Sequence, residues 1–166
     1  MSVHEHKRQA PQGPLKIGVI TATDTRTPES DASGKLIREL FAKAGHDVPY
    51  YEILPDAPAK IAAAIVANLP NLDAIIVTGG TGITSHDRTV EAVTSLLDHQ
   101  LPGFGELFRM LSNHEYGSAA MLSRAIAGVR HGKFLAALPG SPDACRLAIE
   151  KLILPELPHM MYLLHI

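Results

Sequence analysis

The chain has 166 residues, of which 46% are apolar and 19% are charged. This length and composition predict one globular domain with a sizeable core, and they exclude extended disorder and a collagen-like chain. Fifteen basic residues against seventeen acidic ones give a formal charge of -2. Because no bulk positive field is available to gather nucleic acid, we expect no nucleic-acid partner.

The chain contains one cysteine, Cys145. A single cysteine excludes an internal disulfide and a cysteine-rich zinc site, which suits a reducing compartment. No apolar stretch is long enough to cross a bilayer, and the first residues do not resemble a signal peptide. We therefore expect a soluble, cytoplasmic protein with no membrane partner.

Two regions are predicted. Residues 1–14 are polar, contain two prolines and show no periodicity, so we expect a mobile amino-terminal tail. Residues 15–166 contain no internal repeat, low-complexity block or long linker, and we expect a single domain there.

Strand and helix patterns alternate through the first half of that domain. Short apolar runs rich in branched residues predict strands, and apolar positions at helical spacing predict the helices between them. Asp56 and Pro58 provide a start signal for the second helix, and Gly45 a stop signal for the first. The predicted strands are 15–22, 48–54 and 73–80, and the predicted helices are 33–45 and 58–69.

The second half contains further helical patterns and a late strand. A helix begins at Asp87, Ser141 and Pro142 begin the final one, and residues 125–129 are a candidate antiparallel strand. The apolar stripe of the helix that starts at Pro102 is typical of a core or a subunit interface. The other predicted helices are 102–112 and 116–127, and the late strand is 133–140.

This alternation predicts a three-layer α/β/α domain with a mostly parallel sheet and helices on both faces. Ligands of open parallel sheets bind at the carboxyl ends of the strands, so we expect the loops after the strands to form the ligand-binding site. These loops are polar and rich in glycine. The candidate residues in them are Thr21 and Asp24 after the first strand, Asp56 after the second, Thr78–Gly82 after the third, and Gly140 and Ser141 after the late strand.

The loop formed by Thr78, Gly79, Gly80, Thr81 and Gly82 carries the clearest signal. Glycines permit positive φ and close approach of a ligand, so such a turn can wrap an anionic oxygen. A tight strand-to-helix turn without a ligand is the alternative. The loop matches neither the phosphate-loop nor the dinucleotide fingerprint.

Three side chains beside these loops have both a structural and a functional interpretation. Asp56, Asp87 and Ser141 can each be explained as helix N-caps. A carboxylate beside bound phosphates can instead hold Mg²⁺, and Ser141 at a helix start can favour phosphate. We select Asp56 and Asp87 as candidate catalytic residues, with Asp87 as a candidate magnesium ligand.

Five motifs occur in an order that is more specific than any single loop. They are Thr78–Gly82, Asp87 with Thr89 and Glu91, Pro102–Glu106, Leu122–Arg124, and Pro139–Ser141. Together they resemble the MoaB/MogA family of molybdenum-cofactor biosynthesis proteins, over about residues 15–157. The phrase GFGELFRMLS most resembles the MoaB-like branch.

The resemblance implies an α/β/α domain that binds molybdopterin and, in active members, ATP. Those members transfer AMP to the terminal phosphate of the pterin dithiolene and release pyrophosphate with Mg²⁺. Family members form trimers or hexamers, and the MoaB-like branch favours hexamers.

The resemblance also assigns residues. Asp87 matches the essential aspartate of the family and Asp56 matches the aspartate after the second strand. Glu106 and Ser123 match polar positions of the pocket. The chain departs from the pattern at His86, where many active members carry arginine, and this substitution removes a permanent cation suited to phosphate.

Two other functions stay open at this stage. A family member that holds molybdopterin without adenylating it would account for His86. A flavodoxin-like carrier could cradle the phosphate of FMN in the hydroxyl-rich loop 21–27. The sequence contains no tryptophan, and only three tyrosines stand where a ring could stack on a flavin.

Overall fold

The computed structural model describes residues 3–10 and 13–166. The strands are β1 (Lys16–Ala22), β2 (Asp47–Leu54), β3 (Ala74–Thr78), β4 (His99–Gln100), β5 (Ile126–Arg130) and β6 (Lys133–Leu138). The helices are α1 (Val3–Gln9), α2 (Ala32–Lys43), α3 (Pro58–Asn68), α4 (Thr89–Thr94), α5 (Pro102–Tyr116), α6 (Pro142–Ala148) and α7 (Leu154–Leu164). Short 3₁₀ helices cover Leu69–Asn71 and Gly117–Leu122, and a π-helical segment, Ile149–Ile153, joins α6 to α7.

Six strands form one sheet in the order β2-β1-β3-β6-β5-β4. Strands β2, β1, β3 and β6 are parallel to one another, whereas β5 is antiparallel to β6 and β4 is antiparallel to β5. The antiparallel pairing of β5 through the turn at His131 and Gly132 is confirmed. The predicted mostly parallel sheet is therefore correct, and its antiparallel edge distinguishes it from a flavodoxin-like sheet.

Alternating side chains of the strands separate two hydrophobic clusters. Val19 and Ile76 point to one face, where they pack with residues of α2, α5, α6 and α7. Ile20 and Val77 point to the other face, where they pack with residues of α3 and α4. Successive side chains of a strand point to opposite faces of the sheet, and helices cover both faces. This arrangement is the predicted α/β/α architecture. Cys145 is fully buried in the first cluster, as its helical core position predicted.

The amino-terminal segment has more regular structure than expected. Val3–Gln9 is helical and lies against α7, where Lys7 pairs with Glu156. The hydroxyl of Tyr162, in α7, donates to Oε1 of Gln9, the last residue of α1. These polar contacts to α7 stabilise a helix that the local sequence pattern does not reveal. The remainder of the predicted tail includes residues 1–2 and 11–12, which lie outside the described residues.

Two predicted helices and one predicted cap differ from the structure. The helix after β3 begins at Thr89 rather than at Asp87. Helix α3 begins at Pro58 as predicted, but its N-cap residue is Ala57 rather than Asp56. Residues 116–127 do not form one helix, because α5 ends at Gly117 with a positive φ of 70°. The segment continues as a 3₁₀ helix and then as β5, whose backbone pairs with β6. Tertiary pairing outweighs the helical preference of this apolar stretch.

No helix in residues 3–10 and 13–166 is long and apolar enough to cross a membrane.

Candidate functional site

A polar crevice lies where the parallel strands end. The backbone N–H of Thr23 donates to the carbonyl of Leu54 at 2.8 Å, and that of Gly79 donates to the carbonyl of Leu138 at 2.9 Å. These bonds hold the loops after neighbouring strands side by side, as the parallel sheet predicts. The cavity between them measures about 480 Å³. It is lined by Ala22, Thr23, Thr25, Arg26, Gly79, Gly80, Thr81, Gly82, Asp87, Leu122, Ser123, Pro139 and Gly140.

Glycine is required at the turn after β3. Gly79 and Gly80 have φ values of 98° and 65°, a region that residues with a side chain rarely adopt. A β-carbon on Gly79 would lie 2.3 Å from the carbonyl oxygen of Ala22. The turn therefore brings its backbone against the end of β1, and it forms one wall of the cavity.

Asp87 lies at the cavity wall, and its carboxylate is held within its own loop. Its Oδ2 accepts hydrogen bonds from the backbone N–H of Thr84 at 2.8 Å and from the Thr84 hydroxyl at 2.6 Å. The Thr84 side chain is the main cause of a lowered pKa for Asp87, and the backbone N–H groups of Thr84 and Gly82 add to it. Asp87 is therefore ionised at neutral pH, and it does not cap a helix.

Asp56 lies behind the glycine turn, next to the start of α4 at Arg88 and Thr89. Its Oδ1 is 3.3 Å from the backbone N–H of Arg88 and 3.5 Å from the Thr89 hydroxyl. Burial raises the pKa of Asp56, and the negative charges of Asp87 and Asp24 raise it further. The Asp56 charge is thus poorly compensated by the described residues, which is a common property of functional carboxylates.

The donor set fits a magnesium ion that is carried mainly by substrate. Asp87 lines the cavity and offers a carboxylate oxygen there, whereas Asp56 lies behind the glycine turn, where the negative charge of Asp87 helps to raise its pKa. The described part of the chain has no group of three or more His, Cys, Asp or Glu side chains that could hold a metal. Mg²⁺ commonly uses one or two carboxylates together with phosphate oxygens, and this site could supply that number.

Two predicted binding residues support the crevice without lining it. Thr21 and Thr78 are fully buried at the ends of β1 and β3. The Thr21 hydroxyl donates to Oδ2 of Asp31 at 2.6 Å, and the Thr78 hydroxyl donates to the carbonyl of Pro139 at 2.8 Å. Their side chains are therefore committed to joining loops, and the prediction that they contact a ligand is not supported by their positions.

The other predicted residues fall at different distances from the cavity. Ser123 and Gly140 line it, whereas Glu106 lies on the exposed surface of α5 and is not among the lining residues. Ser141 is the N-cap of α6, since its Oγ accepts from the backbone N–H of Ala144 at 3.3 Å. Asp24 is exposed, and its Oδ1 accepts from the backbone N–H of Asp56 at 3.3 Å.

Two arginines belong to the site and were not selected from the sequence. Arg26 lines the cavity and donates to the carbonyl of Gly140 at 3.0 Å. Arg124 donates to the carbonyls of Gly82 at 2.7 Å and Asp87 at 2.8 Å, so it closes the loop between them. Arg26 is the only basic residue of the hydroxyl-rich loop 21–27. A single basic side chain in a loop of this kind is a sequence feature that could have identified it as a candidate.

A three-layer α/β/α domain with a glycine-rich, polar crevice at its strand ends has the architecture typical of small-ligand-binding α/β proteins. A family model described as "Probable molybdopterin binding domain" matches residues 18–159. The molybdenum cofactor biosynthesis protein B of Bacillus cereus is 51% identical over 99% of both chains. The chain belongs to the MoaB family of molybdenum cofactor biosynthesis proteins.

Solved structures agree with this assignment. A crystal structure of a molybdenum cofactor biosynthesis protein B superimposes with a TM-score of 0.90 at 48% identity, covering 93% of this chain and 98% of that one. The tungsten cofactor synthesizing protein MoaB of Pyrococcus furiosus superimposes with a TM-score of 0.83 at 37% identity, covering 92% and 97%. The family resemblance found in the motifs is confirmed, and the flavodoxin-like alternative is set aside.

Proposed function

We propose that the crevice binds molybdopterin and ATP and transfers AMP to the terminal phosphate of the pterin. One observation carries this proposal: the glycine turn 79–82 and the carboxylate of Asp87 line a single cavity of about 480 Å³, and Asp56 lies directly behind that turn. Membership of a molybdenum cofactor biosynthesis family supports molybdopterin as the acceptor.

The reaction exchanges one phosphorus–oxygen bond for another. An oxygen of the pterin phosphate attacks the α-phosphorus of ATP, and the bond from that phosphorus to the bridging oxygen breaks. The electron pair of the broken bond leaves with pyrophosphate. Since no side chain has to form a covalent intermediate, the chain contributes positioning and charge stabilisation.

The glycine turn is suited to holding phosphate oxygens. Its glycines have positive φ values and no side chains, so an anion can approach their backbone N–H groups closely. The N–H of Gly79 is already used on Leu138, so the donors available for phosphate begin at Gly80. Gly140, in the loop after β6, lines the same cavity. Ser141 follows it in the chain as the N-cap of α6.

The two carboxylates have different roles. Asp87 is kept ionised by Thr84, so it is ready to bind a divalent cation. Asp56, whose pKa is raised by burial, lies beside the turn, and a bound cation would stabilise its charged form. Mg²⁺, when bound with ATP, would neutralise the phosphates, and Asp87 and Asp56 are the residues that would hold it.

A direct assay tests the proposal. Purified protein incubated with molybdopterin, ATP and Mg²⁺ is expected to form adenylated molybdopterin and pyrophosphate in equal amounts. Absence of both products, under conditions where both substrates bind, would contradict adenylyl transfer.

A second candidate function is favoured by His86. This exposed residue stands beside Asp87 where many active members of the family carry arginine. A protein of this kind would hold molybdopterin without adenylating it. Pterin binding without product would support this alternative, and restoration of transfer by His86→Arg would show that the missing cation is the reason.

The chain is also proposed to form a homo-oligomer, with a hexamer favoured over a trimer. The stripe on α5 is only partly core, because Phe108 is buried whereas Leu107 is 48% and Met110 is 60% exposed. An apolar cavity of about 440 Å³ lies between α5 and α7 and includes Leu107 and Leu163. A second copy of the chain would cover these side chains. Light scattering coupled to size exclusion tests this, and a monomer at micromolar concentration would contradict it.

A further inference from the structure

Arg26 brings a permanent positive charge to the wall of the crevice. Among the described residues that line the cavity, Arg26 is the only basic side chain and Asp87 is the only acidic one. Arg26 comes from the loop after β1, whereas Asp87 comes from the loop after β3. A bound phosphate would therefore meet the guanidinium from the β1 side and the glycine turn from the β3 side.

A partly buried triangle of hydrogen bonds fixes the position of this guanidinium. Nη1 donates to Oγ of Ser33 at 2.7 Å, and Nη2 donates to the carbonyl oxygen of Gly140 at 3.0 Å. Ser33 is fully buried and its own hydroxyl donates to the same carbonyl at 2.7 Å. Ser33 at the start of α2 and Gly140 after β6, which are 107 positions apart, thus hold one arginine head in place, and this reduces the entropy lost when an anion binds.

The triangle leaves donors for a ligand. A guanidinium has five N–H groups in a planar fork, and the contacts to Ser33 and Gly140 engage one on each terminal nitrogen. Three N–H groups remain at a cavity-lining residue whose side chain is 34% exposed. A fork of this kind matches the spacing of two phosphate oxygens.

The nearest carboxylate does not occupy these donors. Asp31 is buried and lies 3.8 Å from Nη1, which is longer than a hydrogen bond. Its oxygens are satisfied by the Thr21 hydroxyl at 2.6 Å, the Tyr51 hydroxyl at 2.7 Å and the backbone N–H of Gly34 at 3.0 Å. Asp31 therefore orients the arginine through charge without consuming its fork.

We infer that Arg26 binds phosphoryl oxygens of the ligand in the crevice. The inference rests on the proposed function in assuming that the ligand is phosphorylated. The phosphates of ATP and the terminal phosphate of molybdopterin share the same chemistry, and separate probes distinguish these two sources.

The test measures affinity rather than turnover. Calorimetry of the full chain with an ATP analogue carrying a methylene between the α- and β-phosphorus, and separately with molybdopterin, gives one dissociation constant for each probe. The variants are Arg26→Gln, which removes the charge, and Arg26→Lys, which keeps the charge and loses the fork. Arg130→Gln is the matched control, because Arg130 is also half-buried and donates to a backbone carbonyl, that of Leu96 at 2.8 Å, away from the crevice.

Arg26→Gln is expected to weaken binding of at least one probe by about tenfold to a hundredfold, as the loss of a charge-assisted bidentate contact predicts. Arg26→Lys should show a smaller loss, and Arg130→Gln should bind like the wild type. The affinity of Arg26→Gln should also depend less on salt than that of the wild type. A purely structural role for Arg26 would change the melting temperature without changing this salt dependence.

The outcomes separate the two hypotheses. If the wild type transfers no AMP but its affinity for either probe depends on Arg26, the proposed function fails and this inference stands. If folded Arg26→Gln binds both probes as tightly as the wild type, the inference is overturned and the proposed function is unaffected. If Arg26→Gln does not fold, wild-type affinity of Arg26→Lys for both probes would overturn it. A wild type that binds neither probe would overturn both.

Discussion

Asp56 and Gly80 lie so close together that no side chain fits at position 80. A β-carbon on Gly80 would lie 2.2 Å from Oδ2 of Asp56 and 2.4 Å from the Thr89 hydroxyl oxygen. The backbone of the glycine turn lines the crevice on one side and is in direct contact with the Asp56 carboxylate on the other. Any change that displaces one of them displaces the other.

Gly80→Ala tests this contact. The new methyl group must push Asp56 or Thr89 aside, and the positive φ of 65° adds strain of about 1–2 kcal/mol. We expect loss of most adenylyl transfer and a lower melting temperature. Gly45→Ala is the matched control, because Gly45 has a φ of 87° and a methyl group at that exposed turn would meet nothing within 4 Å. A Gly80→Ala protein that turns over like Gly45→Ala would contradict a role for the turn.

Asp87→Asn separates catalysis from folding. The amide keeps an acceptor for Thr84 but loses the charge, so the free energy of unfolding should fall by less than about 1.5 kcal/mol. Adenylyl transfer should fall by about a hundredfold or more, because stabilisation of charge near the phosphates is lost. Initial rates and urea unfolding of the same preparation measure the two effects. Normal turnover would show that Asp87 serves only its loop.

Asp56→Asn should reveal a stability cost of the wild-type carboxylate. Since the folded-state pKa of Asp56 is raised above its ordinary value of 3.8, the folded protein binds the proton more tightly than the unfolded chain. The stabilising contribution of the protonated form is present below pH 3.8 and is lost as the pH rises through the folded-state pKa. The free energy of unfolding of Asp56→Asn should therefore equal or exceed that of the wild type at pH 7, with the difference shrinking in acid.

Urea unfolding of the wild type and of Asp56→Asn, from acid to neutral pH, measures whether the stability difference between them changes with pH in the expected direction. Asp87→Asn is the natural comparison, because the lowered pKa of Asp87 gives the opposite slope: its contribution is present above its ordinary pKa and lost as the pH falls through the folded-state value. If the difference in free energy of unfolding from the wild type changed with pH in the same way for both variants, the different environments described for the two carboxylates would be contradicted.

Arg124 is expected to position Asp87 through the backbone. Its guanidinium donates to the carbonyls of Gly82 and Asp87, while a third contact of 2.6 Å goes to Glu91. Arg124→Lys keeps the charge but cannot bridge both carbonyls, so we expect kcat to fall by about tenfold with a smaller change in KM. Glu91→Gln is the control, since it leaves both carbonyl contacts in place. Equal kinetic losses in the two variants would contradict positioning through the loop.

The sequence was sufficient for the layers of the fold because the relevant signals are local. Apolar runs, helical spacing and the glycines after strands identified β1, β2, β3 and β6 and most of their helices. The location of the crevice followed from strand direction alone, since parallel strands end at one edge. Helix α1 was missed because its contacts, from Lys7 to Glu156 for example, join residues at opposite ends of the chain.

The roles of individual side chains are harder to predict from the sequence, because they depend on contacts between residues that are far apart in the chain. Thr21 and Thr78 stand at strand ends as expected, but whether a hydroxyl faces ligand or a neighbouring loop depends on tertiary contacts. Arg26 acquires its place only through Ser33 and the carbonyl of Gly140, which is 114 positions away. Asp87 offered an N-cap pattern, and only the loop geometry shows its oxygen bonded to Thr84 instead.

A crystal structure of the protein with the methylene ATP analogue and molybdopterin provides the most direct test of the central claim. We predict the α-phosphorus of the nucleotide and the terminal phosphate of the pterin side by side in the crevice, between the turn 79–82 and Gly140. Phosphates bound on opposite sides of the molecule, or outside this crevice, would contradict the account.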